Sequence, residues 1–213
     1  METETLTKLR KSLQEAAKAE RPPAETPDIG IIMGSDSDLD VMMGSETGRP
    51  GAYDALTELG FAEQTGTDSP EERFTFETYV VSAHRTPELM YTYAETAADR
   101  GLEVIIAGAG GKSADLPNMT ASIAYPLPVI GVPVQEKSLP SVIGMPQGAP
   151  IVAVDAGKSF NAALSAVQIL ALEHDTLEQR LLEYHEMLKE EVSLTSQSLH
   201  SQGTEEFKRQ RER

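Results

Sequence analysis

The chain of 213 residues has no cysteine and no tryptophan, and its 18 Lys and Arg are outnumbered by 34 Asp and Glu, for a formal charge of -16. Without cysteine it is neither a disulfide scaffold, nor a thiol enzyme, nor a cysteine-ligated metal protein. The shortage of positive charge argues against a general nucleic-acid or anionic-membrane binder, because the summed field repels polyanions. A local basic pocket can still hold one phosphate. No apolar run reaches the length that spans a bilayer, and the first twenty residues lack the apolar segment of a signal peptide. A cytoplasmic protein with no nucleic-acid or membrane partner is expected.

What is present begins with the sign of the charge. Charged residues make up an ordinary 24% of the chain, so it is the surplus of acid that stands out. Excess carboxylate on a surface repels itself, and concentrated salt screens that repulsion. The surplus therefore predicts an acidic proteome in a salt-rich cytoplasm, with an ordinary acidic protein as the alternative.

The length suits one independently folding domain with appendages. Residues 1–27 read as a polar N-terminal helix and linker, the helix ended by Arg21-Pro22-Pro23. From Asp28 the pattern changes. Ile29–Met33 is a buried strand leading into the polar turn Gly34–Asp38, and Phe74–Val81, Glu103–Ala107, Val129–Val134 and Ile151–Val154 are further strands. Between them, helices are expected over Asp38–Met43, Ala52–Leu59, Pro87–Arg100, Leu116–Ala124 and Ser159–Leu172. Thr86 is the expected N-cap of the third, Pro87 its first residue and Gly101 its stop. Gly44–Gly51 and Glu63–Glu72 read as inserted loops.

Short apolar strands alternating with helices imply a three-layer α/β fold, flavodoxin-like, with a parallel central sheet over residues 28–172. Residues 173–213 read as a C-terminal helical extension whose order fades beyond Val192 into a mobile tail.

Ligands of parallel α/β sheets bind beyond the carboxyl ends of the strands, and three motifs fall there: Gly34–Asp38, Ser82–Thr86 and Gly108–Asp115. The first combines amides at a helix start with serine hydroxyls and a carboxylate, a set suited to a phosphate and its ribose. In the second, His84 stands beside Arg85. It is the one histidine of the sheet domain, since His174, His185 and His200 lie in the C-terminal extension. An imidazole titrating near neutrality can transfer protons, and a guanidinium can grip a phosphate in bidentate fashion.

Two look-alikes fail. Gly111-Lys112-Ser113 and Gly157-Lys158-Ser159 resemble the end of a P-loop, but Ile106 and Val152 stand where its first glycine belongs. The run Gly108-Ala109-Gly110-Gly111 lacks the spacing of a dinucleotide fingerprint. No nicotinamide or flavin site is expected, and no metal site either, the histidines being scattered and cysteine absent.

Taken together, Met33-Gly-Ser-Asp-Ser-Asp38, Ser82-Ala-His-Arg-Thr-Pro87, Ala107-Gly-Ala-Gly-Gly111, Leu116-Pro-Asn-Met119 and Gly131-Val-Pro-Val134 resemble the 5-(carboxyamino)imidazole ribonucleotide mutase family of purine biosynthesis, also called the catalytic subunit of phosphoribosylaminoimidazole carboxylase. The likeness spans roughly residues 28–172. It implies conversion of 5-(carboxyamino)imidazole ribonucleotide to 4-carboxy-5-aminoimidazole ribonucleotide through carbon dioxide, without cofactor. It further implies His84 as general acid and base, Ser35 and Arg85 on the substrate phosphate, and Asp38 on the ribose. Ser82 completes the substrate set, and Gly108, Ala109 and Gly110 wall the carbon dioxide pocket.

A homo-octamer is implied as well, functionally coupled to an ATP-dependent carboxyaminoimidazole ribonucleotide synthase. One departure concerns the loop Lys112-Ser113-Ala114-Asp115, where bacterial members carry a second histidine. It leaves direct carboxylation of aminoimidazole ribonucleotide as the alternative, and a non-catalytic nucleotide-binding module as a third reading.

Overall fold

The computed structural model describes residues 2–22, 25–45, 48–66 and 70–211. Pro23, proposed above as part of a helix stop, lies outside them, as do parts of both inserted loops and the last two residues. The chain divides into two compact units, Met1–Leu170 and Ala171–Arg213.

The first unit is built on six parallel strands in the order β2-β3-β1-β4-β5-β6. They are β1 (Ile29–Met33), β2 (Ala62–Glu63), β3 (Thr75–Val80), β4 (Val104–Ala109), β5 (Val129–Pro133) and β6 (Val152–Ala153). Every residue of β1, β4 and β5 is buried. Helices cover both faces of such a sheet, which is why these strands read as unbroken apolar runs rather than alternating ones. Ile31, Ile32, Ile105, Ile106 and Ile130 are wholly excluded from solvent, each worth about 1.5–3 kcal/mol of burial. The edge strands β2 and β6 are shorter and partly exposed.

Before the sheet comes α1 (Glu4–Ala16), and between the strands run α2 (Leu39–Met43), α3 (Ala52–Glu58), α4 (Pro87–Thr96), α5 (Leu116–Ile123) and α6 (Leu139–Val142). The unit closes with α7 (Ser159–Leu170). Helices α2, α3 and α7 pack together, while α1, α4 and α5 form a second group. Helix α1, read from sequence as an appendage, belongs to the first compact unit: Leu13 is buried in the cluster around Tyr93, and Arg10 Nε donates to Thr92 Oγ1 at 3.0 Å. It ends at Ala16, well before Pro22.

Three further details differ from the sequence reading. Strand β2 went unseen because two residues carry no periodicity; Ala62 and Glu63 are held only by pairing with Thr75 and Phe76. Strand β4 runs two residues into the glycine run, where Gly108 pairs with Met33 and Val132, and Ala109 with Pro133. Helix α4 stops at Thr96, and a 3-10 turn over Ala98–Arg100 carries the chain to Gly101, whose φ of +96° is the left-handed stop expected there.

In the second unit helix continues past Val192, where the sequence reading has order fade. Helix α8 runs unbroken over Asp175–Gln202, and α9 follows over Thr204–Arg211. Polarity does not forbid a helix. The stretch beyond Val192 has no proline, and its one glycine, Gly203, sits at the break with φ +80°. Bonds one turn apart support the rods, including Lys189 to Glu186 at 2.6 Å and Arg209 to Glu206 at 3.2 Å.

Candidate active site

The strand order decides what meets at the carboxyl edge of the sheet. Strand β1 lies between β3 and β4, so the chain leaves β1 toward one side and later crosses to the other, which opens a crevice between the turns. Register sets Met33 level with Val80 and Gly108. The turns after β1, β3 and β4 therefore start at one height, and they line an open cleft of about 500 Å³ joined by Gln135 and Lys137 after β5. Ser35, Asp38, Ser82, His84, Arg85, Ala109 and Gly110 all border it. Gly108 does not; it lies one step back in β4, where an added Cβ would collide with the Met42 sulfur.

In the β1 turn, Ser35 caps the 3-10 turn Asp36–Asp38, its Oγ accepting from Ser37 N at 3.3 Å and donating to Asp36 Oδ1 at 3.0 Å. Asp38 is buried beneath it. Burial pushes its carboxyl above the usual range, against the pull of backbone hydrogen bonds from Gly110 and Ser35 and of the Arg85 charge. A Cβ on Gly110 would stand 2.9 Å from Asp38 Oδ1, so a residue without a side chain lets the strand-end backbone approach this carboxylate.

The β3 turn is clasped at both ends. Thr86 precedes α4 and Pro87 begins it, as the sequence indicates, but the Thr86 hydroxyl makes no cap bond. It accepts from Ser82 N at 3.0 Å and donates to Ser82 O at 3.2 Å, closing a loop that presents His84 and Arg85 outward. The Arg85 guanidinium bridges two turns, with Nη2 donating to Gly34 O at 3.0 Å and Nε to Ser82 Oγ at 3.4 Å. His84 Nε2 lies 2.9 Å from Asp115 Oδ2, reached across the cleft from the turn after β4.

Sequence reasoning missed Gln135 and Lys137, and it left Asp115 inside a loop of unassigned role. The rule that found the other three turns applies equally to the residues after Val134, at the carboxyl end of β5. The contact of Asp115 with His84, 31 positions apart, has no local signal. Among the described residues no three His, Asp or Glu side chains converge as a metal site, and no helix is long and apolar enough to cross a membrane.

Known proteins resemble this chain in sequence and in fold. Residues 28–191 match the family model described as AIR carboxylase. The N5-carboxyaminoimidazole ribonucleotide mutase of Thermotoga maritima is 42% identical over 192 residues, covering 87% of this chain and 99% of that protein. The mutase of the same name from Mycobacterium tuberculosis is 44% identical over 178 residues, covering 81% and 90%. The phosphoribosylaminoimidazole carboxylase of Vigna aconitifolia, chloroplastic, is 41% identical over 185 residues, which are 84% of this chain but 29% of that longer protein. The crystal structure of Treponema denticola PurE superposes with a TM-score of 0.62 over 81% of this chain and 98% of that one, at 22% identity, a likeness of fold. Matched by the family model from the first strand into α8, and by full-length relatives above 40% identity, this chain belongs to the AIR carboxylase family.

Proposed function

We propose that the protein converts 5-(carboxyamino)imidazole ribonucleotide to 4-carboxy-5-aminoimidazole ribonucleotide in purine biosynthesis. The observation that carries the reading is the convergence of one histidine, one arginine, Ser35 and Asp38 on a single cleft at the strand ends. Full-length relatives named as mutases support it.

The chemistry needs one proton delivered and one removed. As the exocyclic C–N bond breaks, its electron pair returns to nitrogen, which takes a proton from the His84 imidazolium, and carbon dioxide is released into the cleft. The electron-rich ring carbon C4 then attacks that carbon dioxide, and the neutral imidazole takes the C4 proton to restore the aromatic ring. One group suffices for both transfers because the second returns what the first spent. Arg85 and the Ser35 turn hold the phosphate, and Asp38 accepts from the ribose hydroxyls. Ser82 fixes Arg85, and the backbone of Ala109 and Gly110 keeps the carbon dioxide close to C4.

Direct carboxylation of aminoimidazole ribonucleotide is the second reading, favoured by the carboxylase name of the longer relative. Purified protein offered each substrate separately decides between them. Turnover of aminoimidazole ribonucleotide with bicarbonate, and none of the carboxyamino compound, overturns the mutase reading. A non-catalytic module predicts that His84→Asn changes nothing measurable.

A homo-octamer in the cytoplasm, fed by an ATP-dependent carboxyaminoimidazole ribonucleotide synthase, accompanies this reading. The exposed Tyr125, Ile143 and Val152 are apolar surface of the kind that a neighbouring copy covers. Mass measurement in solution tests the assembly.

A further inference from the structure

Asp115 immediately precedes α5, the position from which an aspartate ordinarily caps the free amides of a helix. Its side chain makes no cap bond. A cap of this type contributes on the order of 1 kcal/mol when made, so its absence calls for another occupation of the carboxylate. Both oxygens are in fact engaged. Oδ2 lies 2.9 Å from His84 Nε2, and Oδ1 accepts from the Ser141 hydroxyl at 3.0 Å. Ser141 is itself fixed, because Asn118 Nδ2 of α5 donates to its carbonyl at 2.5 Å. Three segments of chain thus meet at one carboxylate: the β3 turn through His84, the start of α5 in Asp115 itself, and α6 through Ser141.

From this geometry we infer that Asp115 is a positioning residue for His84: it holds the proton on Nε2 and leaves Nδ1 as the nitrogen that exchanges protons with the substrate. A carboxylate only accepts hydrogen bonds, so the ring nitrogen facing it must carry hydrogen whether the imidazole is neutral or charged. The bond to Asp115 is the one hydrogen bond of the His84 ring among the described residues. The other charged groups bordering the cleft are Arg85 beside His84, Asp38 from the β1 turn and Lys137 after β5. Ser141 keeps the carboxylate from rotating toward the helix amides, and Asn118 keeps Ser141 in reach.

The inference rests on the proposed reaction for its consequence but not for its geometry. In that reaction, the proton given to the departing nitrogen and the proton taken from C4 both pass through Nδ1, while the Nε2 proton stays with Asp115. An asparagine in place of Asp115 keeps the shape but can donate its amide N–H to Nε2, which favours the opposite tautomer.

The experiment has two readouts. Nitrogen-15 spectra of protein labelled at histidine, with His84 assigned by its loss in His84→Asn, report the tautomer of the neutral ring. The expected result is a ring protonated at Nε2 in the unsubstituted protein, and a shift toward protonation at Nδ1 in Asp115→Asn. Steady-state kinetics on the carboxyamino substrate should then show kcat lower by about 10²-fold or more with KM little changed, since acid-base catalysis contributes that much and Asp115 is not assigned to substrate. Asp115→Glu should recover part of the rate, and Ser141→Ala should lose a smaller part of it.

A neutral ring protonated at Nδ1 in the unsubstituted protein overturns the inference. So does an Asp115→Asn variant whose His84 resonances are unchanged, or one that raises KM and spares kcat. If Asp115→Asn does not fold, the unsubstituted spectrum and Ser141→Ala still decide. Lack of turnover of either substrate by the unsubstituted protein would remove the proposed reaction, and the spectrum alone would judge the pair.

Discussion

Replacing Arg85 is the perturbation with the most readable consequence. Of the five N–H groups of its guanidinium, Nε is engaged with Ser82 Oγ and one hydrogen of Nη2 with Gly34 O. Both Nη1 hydrogens and the second on Nη2 remain for a ligand, enough for a two-pronged grip on a phosphate. Hydrogen bonds to charged groups are worth about 1.5–3 kcal/mol each, and the open, solvated position of Arg85 argues for the low end. Two of them give about 3 kcal/mol, or on the order of 10²-fold in affinity.

Arg85→Met should therefore raise KM by about that factor with a much smaller change in kcat, because the guanidinium grips a group that does not react. Arg85→Lys keeps the charge but not the fork and should fall between the two. The assay is initial rate against substrate concentration at fixed pH and ionic strength, paired with inhibition by inorganic phosphate, which should weaken in parallel. A KM for Arg85→Met within about threefold of the unsubstituted protein, less than 1 kcal/mol, would refute the phosphate assignment.

Three other outcomes are expected. Gly108→Ala drives a methyl group into Met42 and should destabilise the protein by about 1–3 kcal/mol in denaturant titration, with Met42→Ala in the same chain restoring part of it; equal midpoints for Gly108→Ala and the unsubstituted protein would show the contact to be slack. Burial raises the Asp38 carboxyl from its ordinary 3.8, so between that value and the raised one the folded state binds more protons than the unfolded, and stability falls as pH rises through the window. Asp38→Asn should flatten that slope, and midpoints against pH for both proteins check it. The charge of -16 predicts a melting temperature that rises with KCl from low to molar salt, where the screening length shrinks from about 10 Å to about 3 Å; a flat curve sinks the salt-rich cytoplasm.

The central strands of this protein were legible because a parallel sheet buried on both faces writes itself as short apolar runs, as in Ile29–Met33 and Val129–Pro133. The turns that follow β1, β3 and β4 were legible for a related reason: a polar, glycine-bearing motif directly after such a run has to sit at a strand end. Length was harder to judge in the polar second unit. Ser193–Gln202 carries no apolar stripe strong enough to announce a helix, yet nothing in it breaks one, and local pairing carries α8 to Gly203.

By itself, then, the amino-acid sequence determined the class of fold, the strand ends where chemistry would gather, and the pairing of His84 with Arg85 in one turn, since neighbours in the chain need no folding to be neighbours. Tertiary structure decided which turns face one another. Setting β1 between β3 and β4 brings Asp115 to His84, Gly34 to Arg85 and Gly110 to Asp38, and β5 adds Lys137 to the rim. Strand order is set by the packing of helices on both faces of the sheet, a collective outcome with no signature at any one residue.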